Sequence, residues 1–491
     1  MSYDIVVVGG GIGGLTVAAL LSARGLRVCL LERQSQVGGC VARVEFAGYD
    51  FEPGMGLYPS WGPDEIHERV FSELPVTPPE TELIESDFVV RLLDGTDIRL
   101  SKDDSSYFEQ LRKAFPECGD GAVEFYKTVG KMAGNKPVRE STGAVTFGAR
   151  IGQTIGAFWR KPSSIRETTD RVALDYASHT SDRFRNFIDS QLRAFLQTPI
   201  ERSSFPAAGV ALTLPRKQLF SIAGGPAALA ERLAESIKQS GGIVRLNSPV
   251  LRLAYDNSGR ATGVDLLSGE TVNAKRAIVS NMTIWDTYGK LVGLNRTPRE
   301  MKKSLATVQG SGAYLIYASL DHSAASRLPG ERLLVAGNYA LRNSADDDEN
   351  CGEFTLAATS AADRRAPDGK QAVTLKWAVD VNDWFSFQSN EEEYEGWDQA
   401  ALERFWGQLH RALPELGGDI EVVETATPRT FYDLTRRKLG MVLGVAQTPE
   451  AVVLSHPTTV PNLFIVGDTI SGPGLAAVTQ SALALANTIT R

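Results

Sequence analysis

Residues 5–14 read Ile5-Val6-Val7-Val8-Gly9-Gly10-Gly11-Ile12-Gly13-Gly14. Four successive β-branched residues suit a strand buried on both faces, and Gly9-x-Gly11-x-x-Gly14 follows without a gap. Leu15, Ala18, Ala19 and Leu21 then mark a helix stopped at Gly25, and Val28-Cys29-Leu30-Leu31 forms a second apolar strand ending at Glu32. This order is a strand, a helix and a strand. Within it Gly9 permits the tight turn, Gly11 lets the backbone approach a pyrophosphate, and Gly14 lets helix and strand pack closely. The helix N-terminus favours the anion. Glu32 lies 18 residues after Gly14, where a carboxylate accepts hydrogen bonds from the ribose hydroxyls of an adenosine. The combination predicts dinucleotide binding, and NAD and FAD both satisfy it.

Composition bounds the rest. The chain has 491 residues, 43% hydrophobic, 22% charged and 8% aromatic, which excludes disordered, collagenous and disulfide-scaffold classes. Segment spacing argues for two large domains, one interrupting the other. With 51 Lys plus Arg against 59 Asp plus Glu, the net charge of −8 steers nothing toward nucleic acid. Cys29, Cys40, Cys118 and Cys351 are scattered, and His67, His179, His322, His410 and His456 lack ligand spacing, so no metal site is expected and a reducing cytosol suits the thiols. The first strand begins at Asp4 and leaves no room for an export signal. Ile5 to Ala23 and Thr469 to Thr490 are uncharged but contain glycine turns, so neither reads as a transmembrane helix. The expected location is cytoplasmic, with peripheral membrane contact considered below.

Arg33 follows Glu32, and after it come Gly38-Gly39, eight further residues and Gly48-Tyr49-x-Phe51-Glu52-x-Gly54. This run resembles the flavoprotein superfamily of amine oxidases, carotenoid desaturases and isomerases, and Rab GDP-dissociation inhibitors. Within it the chain is most similar to the carotenoid isomerases and desaturases, the phytoene dehydrogenase-like group, with the glycine-pair spacing of the isomerase branch. Cys40 stands where desaturases carry Arg. The resemblance continues through Gln197-Thr198-Pro199, Gly224-Gly225-Pro226, the short strands expected around residues 243–266, and Ala277 to Asn281. It resumes at Thr427-Pro428-Arg429-Thr430, Gly440 to Gly444, and Leu463-Phe464-Ile465-Val466-Gly467-Asp468.

The resemblance implies an α/β fold: a Rossmann-like FAD-binding domain with a parallel sheet, of the glutathione-reductase type, and an inserted α+β substrate domain. The division expected is 1–95, 206–289 and 426–491 for FAD, with 96–205 and 290–425 for substrate. It implies non-covalent FAD, held by Gly9, Gly11, Ile12, Gly13, Gly14, Glu32, Arg33, Gly38 and Gly39. Val250 meets the adenine through its backbone, Gly467 and Asp468 meet the ribityl chain, and Gly474 and Leu475 open a helix facing the flavin's pyrimidine edge.

Flavin chemistry on an apolar substrate needs a dry tunnel more than a set of charged catalysts. Arg429 and Glu52 are the charged groups expected nearest the flavin, against a structural ion pair for Arg429 and a backbone or cofactor hydrogen bond for Glu52. Residues 141–166 carry Arg150, Arg160, Lys161 and Arg166 with no acid, and Ile151, Ile155, Phe158 and Trp159 recur at helical spacing. This suits either a membrane-surface helix or a core-facing helix with an exposed basic side. The expected function is FAD-dependent oxidation, reduction or cis-trans isomerisation at C–C bonds of a hydrophobic polyene or isoprenoid. The alternatives are a flavin amine oxidase and a non-catalytic lipid-binding protein of the same fold.

Overall fold

The computed structural model describes residues 2–134, 171–337, 352–360, 363–386, 390–442, 444–446, 448 and 455–491. The basic stretch 141–166 and Cys351 lie outside them.

The opening strand, Ser2–Val8, is the centre of a sheet. Val28–Leu31 and Thr271–Ser280 flank it in parallel, Ile243–Arg245 extends one side, and Leu463–Ile465 pairs in parallel with the end of Thr271–Ser280. Thr271–Ser280 changes character along its length. Its first half alternates buried and exposed residues beside antiparallel Ala261–Leu266, and its last four residues are all buried where strands flank it in parallel. That is the pattern expected of a strand passing from a one-faced to a two-faced environment. Val250–Tyr255 closes the antiparallel edge.

Helices Ile12–Ala23, Gly225–Gln239 and Leu475–Thr490 cover one face. Leu15, Ala18, Leu233, Ala482 and Leu485 meet Ile5, Val7 and Val279 there, and the alanines let the helix axes approach closely. On the other face Val6, Val8 and Ile278 pack with Trp285, Tyr288 and Leu463. The N- and C-terminal segments therefore share one sheet.

A second, mostly antiparallel sheet runs in the order Ile420–Ala426, Gly312–Asp321, Lys370–Val379, Phe354–Ala358, Arg332–Val335, Val89–Arg91, Asp97–Arg99. Helix Glu391–Ala412 covers one face through Phe405 and Leu409. Helices Asp104–Ala114, Gly119–Gly134, Asp182–Leu196 and Phe205–Thr213 form a lobe whose core includes Phe88, Val90 and Leu334. Two expected boundaries shift for this reason. Val89–Arg91, assigned to the piece 1–95, pairs with Arg332–Val335, and Phe205–Thr213, which straddles the boundary at 205, buries Phe205, Ala208 and Leu212 in the helical lobe. We propose that the transitions fall before Phe88 and after Thr213.

His67 offers a test of the first core. It is 1% exposed, its ring stacks on Trp61 at 4.1 Å, and among the described residues neither ring nitrogen has a hydrogen-bond partner. Burial lowers its pKa to about 4 from an ordinary 6.5. The folded state therefore takes up its proton later than the unfolded chain. The resulting stability is full above pH 6.5 and falls away as pH drops toward about 4, by an amount of order 3 kcal/mol. His67→Phe is expected to shrink the loss of stability between about pH 7 and pH 4.5 in urea titrations. An unchanged loss would contradict this account.

Candidate cofactor and substrate site

The opening turn is closed by steric necessity. A Cβ on Gly14 would lie 2.4 Å from the Gly9 carbonyl oxygen, so only glycine lets the helix start this near the strand end. Helix Ile12–Ala23 has no side-chain cap at Gly11 and no acid in its first turn. Its first N–H groups therefore call for an acceptor from outside the chain.

Glu32 is buried beside this turn. Its carboxylate accepts from the backbone N–H of Gly10 at 2.7 Å and of Gln34 at 2.8 Å. Each oxygen keeps a lone pair for a further donor. The Glu32 carbonyl accepts from Ser248 N–H at 2.8 Å, which brings half-buried Val250 to the same edge. Gly38 N–H donates to the Gly10 carbonyl at 2.8 Å, and a Cβ on Gly39 would stand 3.4 Å from Gly11 Cα. Arg33 points elsewhere: its guanidinium donates to the Asp433 carbonyl at 3.4 Å and ties down helix Pro428–Thr435.

The closing segment arrives at the same place. A Cβ on Gly13 would be 3.3 Å from Gly467 Cα and 2.8 Å from Asn281 Oδ1. Asp468 Oδ2 accepts from Arg437 Nη2 at 2.7 Å and from Gly444 N–H at 3.1 Å. The Arg437 guanidinium also reaches the Met441 carbonyl at 2.6 Å and lies beside Cys40. Burial raises the Cys40 thiol pKa, and Arg437 opposes that shift. A cation thus stands next to the glycine pair although residue 40 is a thiol. Gly474 precedes helix Leu475–Thr490, which also lacks a side-chain cap and a first-turn acid. Val442 bonds Ser311 through its N–H at 3.0 Å, and its carbonyl accepts from Gln197 Nε2 at 3.4 Å. This links the closing segment to the second sheet and the helical lobe.

The two charged candidates do other work. Glu52 is 2% exposed and pairs with Arg365 at 2.6 Å, while Tyr58 donates to its second oxygen at 2.5 Å and the Thr374 hydroxyl to its carbonyl at 2.8 Å. It fastens the first domain to the second sheet. Arg429 pairs with Glu391 at 2.9 Å and lies over the Tyr394 ring at 4.5 Å, a contact of the outer helices. Both are corrected from flavin neighbours to structural ion pairs, because each charge is already satisfied by a partner the sequence spacing does not reveal. Asn281 and Arg437 are residues beside the glycine turn that the reading passed over; only Asn281, ending an apolar strand, carried a visible signal.

The two pairs should separate sharply on mutation. Glu52→Ala leaves buried Arg365 with only the longer Asp50 contact at 3.6 Å and is expected to cost about 3 kcal/mol, whereas Arg429→Ala removes a partly exposed pair and is expected to cost at most about 1 kcal/mol. Urea denaturation of both variants measures this, and comparable small losses would refute the assignment of Glu52.

Comparison with known proteins agrees with this geometry. Residues 7–74 match the family described as NAD(P)-binding Rossmann-like domain. The chain is 25% identical over 507 residues to the chloroplastic prolycopene isomerase of Arabidopsis thaliana, covering 99% of this chain and 82% of that protein. It is 23% identical over 527 residues to the human all-trans-retinol 13,14-reductase, covering 99% and 85%. An engineered putrescine oxidase superposes with a TM-score of 0.68 at 15% identity, covering 100% of this chain and 99% of that one, and shares the fold. The chain is therefore similar over nearly its whole length to a prolycopene isomerase and an all-trans-retinol 13,14-reductase, and it shares the fold of putrescine oxidase.

Proposed function

We propose that the chain is an FAD-dependent oxidoreductase acting on C–C bonds of a hydrophobic polyene or isoprenoid. The observation that carries this reading is the meeting of the uncapped helix start, Glu32 and Gly467-Asp468 at one sheet edge, in a homologue of enzymes named for prolycopene and retinol.

The residues present fit the cofactor. Glycine at positions 11 and 13 keeps side chains off the helix start, whose first-turn N–H groups would hold a diphosphate, and Glu32 retains acceptor capacity for ribose hydroxyls. Val250 borders the adenine side, and Asp468, oriented by Arg437 and Gly444, would accept from the ribityl hydroxyls. The start of helix Leu475–Thr490 would place partial positive charge toward the pyrimidine edge. Bound there, FAD would supply hydride acceptance and donation at a C–C bond. Leu315, Tyr317 and Ala372 of the second sheet form a buried apolar cluster with Val442 and Phe51, which would border an extended apolar chain and exclude water from it. Among the described residues no helix is long and apolar enough to cross a membrane. Substrate delivery from a membrane surface through residues 141–166 belongs to this proposal.

The test begins with colour. The purified chain, reconstituted with FAD, should show flavin absorbance, and Glu32→Ala should weaken FAD binding about tenfold to a hundredfold, the worth of a charge-assisted hydrogen bond. Incubation with prolycopene and with retinol, followed by chromatography, should yield an isomerised, saturated or desaturated product. A colourless protein would sink the reading, and hydrogen peroxide from amines with no polyene conversion would replace it with amine oxidation.

A further inference from the structure

The second sheet holds an ammonium group with no hydrogen-bond partner among the described residues. Along Lys370–Val379 the side chains of Val373, Leu375 and Trp377 enter the core beneath helix Glu391–Ala412. Strand alternation turns Thr374 and Lys376 to the opposite face, where the Thr374 hydroxyl meets the Glu52 carbonyl. Lys376 is 5% exposed, and its Nζ has no hydrogen-bond partner. Directly across the strand pair stands Thr355, 2% exposed, with its Oγ1 also unpartnered. Burial lowers the Lys376 pKa to about 8, and the Glu353 charge opposes this shift. At neutral pH the amine is therefore mostly charged.

An isolated buried ammonium costs several kcal/mol, and a valine or leucine at this position would pack without that cost. Two unsatisfied donors side by side match the two oxygens of one carboxylate. A diphosphate would bring more negative charge than one ammonium neutralises. The location is also informative. Val442 bonds Ser311, whose neighbour Gly312 pairs with Val379, and Lys376 lies three positions farther along that strand, about 10 Å away. Resting on the flavin-and-polyene reading above, we infer that Lys376 and Thr355 receive the carboxylate of the substrate, a hydrophobic polyene acid. Its chain would run from this anchor along the Leu315 side of the sheet toward Val442 and Asp468, so the bond presented to the cofactor lies several carbons from the acid.

Retinoic acid and retinol share a polyene and differ in the terminal group, which makes them suitable probes for the FAD-loaded protein. Titration by protein fluorescence quenching should show the acid binding at least about tenfold more tightly than the alcohol. Lys376→Met should abolish that preference by weakening only the acid, with retinol affinity, flavin absorbance and melting temperature held, and Lys376→Arg should keep it. Equal affinities in the wild type, no binding of the acid, or an undiminished preference in Lys376→Met would each overturn the inference. A chain that takes up no FAD would sink the flavin reading instead, and the same titration on that protein would still decide the role of the lysine.

Discussion

A Cβ on Gly11 would lie 2.5 Å from Asn281 Nδ2, one on Gly13 2.8 Å from Asn281 Oδ1, and one on Gly467 3.2 Å from the same oxygen. Asn281 itself is fixed by its N–H donating to the Val8 carbonyl at 2.8 Å. Two segments remote in sequence thus converge on the carboxamide of a third, with no room for a side chain between them. The cofactor edge exists only when Thr271–Ser280 and Leu463–Ile465 have both returned to the strand begun at Ser2. The intervening chain must fold as an insertion, because the parallel sheet cannot close until the last piece arrives.

Buried charge fixes how that insertion sits. Glu52, on the cofactor side, pairs with Arg365 beside the second sheet, while the half-buried Arg437–Asp468 pair holds two parts of the closing segment together. A buried ion pair is poor evidence of net stability, since desolvation offsets most of the attraction. Its consequence is positional: displacing Glu52 leaves buried Arg365 with only the longer Asp50 contact, which favours one docking of the two lobes. Arg332 acts alike with neutral partners, donating to the Gly56 carbonyl at 3.2 Å and to the Ala358 carbonyl, which ties the loop after Glu52 to the second sheet.

The glycine turn, its strands and the acid ending the second strand were legible because local chemistry specifies them: backbone approach demands glycine, and two-faced burial demands apolar runs. Charged residues were legible only as charges. Arg33, Glu52 and Arg429 lie beside cofactor motifs in sequence, yet each spends its side chain on an atom from a distant element, Asp433, Arg365 or Glu391. Val89–Arg91 was misassigned for a related reason, since a short apolar strand does not announce which sheet it joins. Lys376 was hidden by its surroundings, a run of Ala372, Val373, Leu375, Trp377 and Ala378 that reads as ordinary core.

The two faces of the second sheet obey different rules. Beneath helix Glu391–Ala412 the rings of Phe354, Trp377 and Phe405 stack at centroid distances of 4.8 and 4.7 Å, and the Trp377 indole N–H is answered by Gln408 at 2.8 Å. That face is finished. The opposite face carries Arg332, Thr355, Thr374 and Lys376 among apolar neighbours, and a polar group so placed is tolerated only when it is paired. Arg332 and Thr374 are paired with backbone carbonyls. Thr355 and Lys376, adjacent across the ladder, are the two members of this set whose donors remain open. Unpaired polarity on this face is therefore confined, among these four residues, to one point, which would orient a long apolar molecule by its end and leave the rest of its length to shape alone.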